Sequence, residues 1–320
     1  MKSIGRPLIL LIISIGVFIG CKNDKNTKSV IINQENEAKV KPTNVINIVT
    51  QAMEFQMVDT IPSGWNTFKY KNLSDEIHFV VFEKYPEGIT IDSTRAQVFP
   101  VFDKGMDLIN EGKNKEGFSA FNSLPAWFFN VEFTGGIGLV SPKETAVSTI
   151  KLDPGRYLIE CYVKMKNGKF HSVMGMYKEI IVSNTPNDLL EPEATVGVSI
   201  SSENGIEFKP GITSGKQIFK IAFKDQKVHE HFLGHDVHVV KLDESADLAT
   251  LNNWMNWSAP TGLLGHGVDG VTFLGGTQEA PAGDTTYFTA NLKPGNYALI
   301  AEVPDPLSKG MLKTFSVPSN

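Results

Sequence analysis

Cysteine is scarce in this chain: two among 320 residues, Cys21 and Cys161. If the first is consumed by an N-terminal modification, Cys161 stands alone and cannot close an intramolecular disulfide. A lone thiol outside the cytoplasm must be buried, bound or reactive, and ligation of a metal accounts for its retention. Charge is also sparse. The formal net charge is −5 and no basic stripe occurs, which leaves no footing for nucleic acid. No Ser-His-Asp order, glycine-rich phosphate loop or HExxH zinc-protease motif is present. The one long apolar run, residues 8–19, is short for a membrane span.

That run follows Lys2 and Arg6 and ends in Phe18-Ile19-Gly20-Cys21, the pattern of a secretory signal over residues 1–20. The last four residues resemble a bacterial lipobox, with Phe18 where Leu is more usual. The resemblance implies that Cys21 becomes the lipidated N-terminus, anchoring the protein to a membrane of the cell envelope, periplasmic or surface-exposed. The polar residues 21–46 read as a tether.

The rest is long enough for two domains, 47–183 and 193–320, joined by the Pro- and Asn-containing segment 184–192. Both read as all-β. In the first, Phe55 to Asp59 and Gly64 to Lys71 alternate as strands around a Pro62-Ser63-Gly64 turn, and Ile77 to Phe82 is a buried strand with His78 near its start. Val98, Phe99, Phe102, Met106 and Ile109 form a helical stripe interrupted at Pro100, so Asp92 to Leu124 is a mostly helical insertion. Trp127, Phe128, Phe129 and Phe133 read as core. A Pro-Gly turn then starts the strand that delivers Cys161.

The pattern repeats. Val131–Gly136 (VEFTGG) recurs as Val271–Gly276 (VTFLGG), and DPGRYLIEC recurs as KPGNYALIA, both at an offset of 140 residues. Gly175-Met176 matches Gly310-Met311, and IHFVVFEKY matches VHVVKLDES, pairing His78 with His238, although His235 competes for that position. Two copies are too few for a solenoid and mark a duplicated β-domain. Ala301 stands for Cys161 and Pro306 for His171, so the second copy lacks the thiolate and the downstream imidazole.

Residues Cys161–Met176 read CYVKMKNGKFHSVMGM. A thiol, an imidazole and a thioether in one segment suit copper better than calcium or magnesium. With His78 they resemble the cupredoxin (blue-copper) family. There, a first His lies near a strand start, a strand introduced by Pro-Gly-x-Tyr ends in Cys, and a His and a Met follow in the next loop. HSVMGM is similar to the ligand loop of copper nitrite reductase. The resemblance implies two tandem Greek-key β-sandwiches and one type 1 copper, held by His78, Cys161, His171 and an axial Met176, that passes single electrons to a redox protein partner. Phe79 replaces the Asn that commonly follows the first His. Glu160 and Tyr162 flank the Cys, so the His that bridges to a second copper in the oxidases and nitrite reductases is missing. Met165, Phe170 and Met174, with Lys164, Lys166 and Lys169, are candidates for an apolar docking patch and a steering charge. His229, His231, His235 and His238 form a second candidate metal cluster, with His266 available; the plain alternative is a polar strand edge. A metal-free surface binding module and copper storage or delivery remain as alternative functions.

Overall fold

A computed structural model describes residues 45–319, which belong to one compact unit. The leader, the lipidation site Cys21 and most of the tether lie outside the described residues. Among the described residues no helix is long and apolar enough to cross a membrane.

The first half contains β1 (Val45–Thr50), β2 (Thr60–Asn72), β3 (His78–Lys84), helices α1 (Ile91–Gln97), α2 (Phe99–Asn110) and α3 (Asn114–Ala120), then β4 (Glu132–Val140), β5 (Thr145–Leu152), β6 (Gly155–Glu160) and β7 (Tyr177–Pro186). The second half contains β8 (Val196–Ser201), β9 (Gly205–Phe208), β10 (Gly215–Phe223), β11 (Val237–Leu242), α4 (Leu248–Trp254), β12 (Val271–Thr277), β13 (Thr285–Leu292), β14 (Gly295–Ile300) and β15 (Leu312–Val317). The strands alternate buried and exposed residues where one face meets solvent, as in β2 and β5, and are buried on both faces in β3 and β11.

Two expectations are corrected here. Residues 55–59 form no strand, and Pro62-Ser63-Gly64 is no turn: β2 runs straight through it. Its first residues pair parallel with β7, the register shifts at Pro62/Ser63, and from Gly64 onward it pairs antiparallel with β5. The Pro-Ser-Gly segment is therefore where one strand passes from one layer of the sandwich to the other. Proline suits that irregularity because it cannot donate to a continuous ladder. Phe68 of β2 then meets Phe82 of β3 across the core, with ring centroids 4.7 Å apart. The expected helical insertion is present, and Pro100 falls in the first turn of α2, where its missing N–H costs nothing.

Strand order makes the halves equivalent. One run is β15-β14-β11-β12-β4-β3-β6-β7, the other β2-β5-β13-β10-β8-β9. At both junctions a strand meets its own counterpart, β4 with β12 and β5 with β13, each antiparallel. Ser148 pairs with Phe288, the residue 140 positions further on. The sequence repeat is thus a local two-fold relation. Both Gly-Gly pairs serve the same bulge. A Cβ on Gly136 would lie 2.1 Å from the Val80 carbonyl oxygen, and one on Gly276 would lie 2.2 Å from that of Val237, so neither position admits a side chain.

Pairing register also settles the competing histidines. Glu160 pairs with Val81, and Ile300, its counterpart, pairs with His238. His238 therefore corresponds to Val81, and His235, three residues earlier, corresponds to His78. The pairing of His78 with His238 is corrected accordingly.

Candidate metal centre

His78 opens β3, Cys161 follows the last residue of β6, and His171 lies in the loop between β6 and β7. Backbone bonds fold that loop back on itself. His171 N–H donates to the Val163 carbonyl (2.8 Å), Met176 N–H to that of His171 (2.9 Å), and Cys161 N–H to that of Met176 (3.3 Å). All four side chains are fully buried.

The donor atoms of three of them converge. His78 Nδ1 is 3.7 Å from Cys161 Sγ, His171 Nδ1 is 3.8 Å from it, and the two Nδ1 atoms are 3.1 Å apart. The point equidistant from all three lies about 2.1 Å from each, a bond length typical of imidazole on a borderline metal. Among the described residues this is the only group of three His, Cys, Asp or Glu with metal-ligand spacing. Burial lowers His78 to about 3, with the neighbouring imidazole adding to the effect, and lowers His171 to about 4. Both rings are therefore neutral near pH 7, the form that ligates. Burial pushes the Cys161 thiol well above its usual range. An apolar pocket with two neutral imidazoles and a protonated thiol facing one point fits a soft or borderline cation.

The surroundings hold features that the sequence did not disclose. His171 Nε2 lies 3.1 Å from Glu76 Oε2, off the hydrogen-bond direction for both atoms. The second half lays residues 263–265 along the ligand loop: Lys164 N–H donates to Leu263 O and Gly265 N–H to Lys164 O, while Ile77 N–H donates to Gly265 O. Lys164 is fully buried, and its ammonium donates to the carbonyls of Trp257 (2.8 Å) and Ala259 (2.6 Å). It is a clamp between the halves and not a steering charge. Lys169 is paired with Asp103 and Asp107, which leaves Lys166 exposed. Phe170 faces inward against Trp257 and Tyr162, so it takes no part in a surface patch, although Met174 is exposed. Phe79, where Asn is usual, packs edge-on against Tyr162 at 4.5 Å.

The second histidine cluster does not assemble. Only His229 and His235 approach, with Nε2 and Nδ1 3.2 Å apart, and His235 Nε2 is taken up by the Asp225 carbonyl. His231 stacks on Phe118. His238 Nδ1 accepts from Leu139 N–H and its Nε2 lies 2.6 Å from Asp236, so that ring joins the two halves. The backbone is kinked between the first and the later of these histidines, at His231 (φ 66°).

No family profile and no curated protein matches the chain significantly. Among solved structures it is similar to auracyanin from Roseiflexus castenholzii (20% identity, 44% of this chain and 97% of that one, TM-score 0.27). It is also similar to the copper nitrite reductases of Thermus scotoductus (12%, 85% and 61%, TM-score 0.21) and Nitrosomonas europaea (11%, 86% and 93%, TM-score 0.22). These likenesses are faint in identity and superposition. The chain's own strand order and donor triangle speak more directly: it is a tandem of two equivalent β-sandwich halves, the first with a buried His78–Cys161–His171 cluster at metal-ligand spacing.

Proposed function

We infer that the protein binds one copper ion that His78, Cys161 and His171 would hold, with the buried Met176 as a further weak ligand, and passes single electrons in the cell envelope. Copper held there would supply the one-electron couple. The chain supplies the rest. Three donors preset about one point need little rearrangement when the oxidation state changes. The buried loop excludes water, and Glu76 stands 3.1 Å from the outer edge of the His171 ring. The observation that carries this reading is the convergence of the three donor atoms to one bonding distance. Residues 1–21 support a lipid anchor at Cys21, which Cys21→Ser would test by releasing the protein from the membrane fraction.

The direct test is a visible absorption spectrum after anaerobic addition of Cu(II) to a soluble form, with Cys161→Ser beside it. An intense thiolate-to-copper band at one copper per chain, absent from the variant, is expected. Colour that survives the substitution, or no colour, overturns the proposal.

A further inference from the structure

The helical insertion between β3 and β4 is reduced to the single helix α4 between β11 and β12, and in the first half it roofs a cavity. This half-open cavity offers about 80 Å³, against the roughly 10–15 Å³ that one water centre needs, so there is room for a ligand of about five heavy atoms. Val98, Phe99 and Phe102 come from the insertion, Trp127 and Phe128 from the segment after it, and Phe232 and Trp257 from the second half. Trp127, Phe128 and Phe133 pack against the core as expected and also line this space, whereas Phe129 is 61% exposed. The same wall carries three carboxylates, Glu83, Glu160 and Glu279, and neither lysine nor arginine. Glu83 is 7% exposed, and the group beside it is another carboxylate, Glu160. Glu279 is held by the Gly234 N–H. At the rim, His231 and Phe232 both adopt left-handed backbone (φ 66° and 69°), a costly conformation for two successive non-glycine residues.

We propose that this cavity binds a small organic cation of the alkylammonium class. An aromatic wall attracts a cation through the ring faces, and Glu83 and Glu279, both held protonated by burial in the empty cavity, supply the compensating charge by giving up a proton to solvent as the cation enters. A metal ion is the poorer occupant, because these carboxylates do not reach metal-ligand spacing among themselves. The site is separate from the copper reading, although Tyr162 and Phe170 stand between the two.

Tetramethylammonium titrated into the copper-free full chain by calorimetry, with Trp127 and Trp257 as fluorescent reporters, tests this. Saturable binding is expected, at least tenfold tighter than that of tert-butanol, its neutral counterpart, and weakened at least tenfold in Glu83→Gln and in Glu279→Gln. No saturable signal up to 50 mM, or equal binding of tert-butanol, overturns the proposal. If Glu83→Gln fails to fold by circular dichroism, Glu279→Gln and Trp127→Leu carry the same test. Loss of copper colour in Cys161→Ser leaves this result untouched, so the two readings fail separately.

Discussion

Copper added to the metal-free protein at pH 7 should release one proton per ion bound. The number follows from the pocket. His78 and His171 are held neutral, near 3 and 4, by burial, so neither has a proton to lose. The Cys161 thiol, pushed up by the same burial, keeps its proton until a metal displaces it. Affinity should therefore rise about tenfold per pH unit between roughly pH 5 and 8. Below about pH 4 the histidines begin to bind protons and the slope should steepen toward three. Isothermal titration calorimetry in buffers of different ionisation enthalpy counts the protons directly, and Cys161→Ser should release none. Release of two protons at pH 7, or a flat affinity between pH 5 and 8, would refute the assignment of a buried thiol between two neutral rings.

Stability of the metal-free protein should fall as pH rises from 6.5 to 8. Burial raises Glu279 to about 8, so in this window the unfolded chain has lost a proton that the folded chain retains; the slope is on the order of 1 kcal/mol per pH unit. The depressed histidines act in the opposite sense but only below their unfolded value near 6.5. Urea denaturation at the two pH values measures the slope, and Glu279→Gln should lessen it by one proton's share, leaving that of Glu83 and Glu302, which burial raises in the same sense. Lys164→Met leaves the Trp257 and Ala259 carbonyls without their donor and should cost about 2–3 kcal/mol in urea denaturation; an unchanged midpoint would contradict the clamp. Gly117→Ala places a Cβ 2.8 Å from Gly105 O and 2.6 Å from Ile109 Cγ1, and should cost about 1–3 kcal/mol by the same measurement, by prising α3 from α2.

What the sequence disclosed and what it withheld divide on physical lines. The Gly-Gly bulges and the Pro-Gly-x-Tyr strands recur because backbone geometry tolerates few residues there, so the duplication was legible at constant offset. Cys161, His171 and Met176 share one short loop, and their donor chemistry can be read locally. The counterpart of His78 was not legible, because the insertion breaks the offset and only strand register separates His235 from His238. Nor was the passage of β2 through Pro62, since proline marks a turn as readily as a crossing between layers. Lys164 read as a steering charge on a surface loop; its two carbonyl partners lie more than 90 residues away. Trp127, Phe128 and Phe133 carry the same hydrophobic signature whether they fill a core or wall a cavity.

The pairing of each junction strand with its own counterpart has an evolutionary consequence. Such a contact is isologous: one surface patch meeting itself, as in a symmetric homodimer. In a dimer of identical chains every substitution is felt twice, so a loop cannot become a donor on one side and an acceptor on the other. Joining two copies in one polypeptide lifts that constraint. Here one copy has kept the thiol and both imidazoles. The other has Ala301 at the position of Cys161 and lends its neighbour residues 263–265, the carbonyls that hold Lys164 and the Glu279 carboxyl group. Division of labour between once-equal partners is written into the strand register.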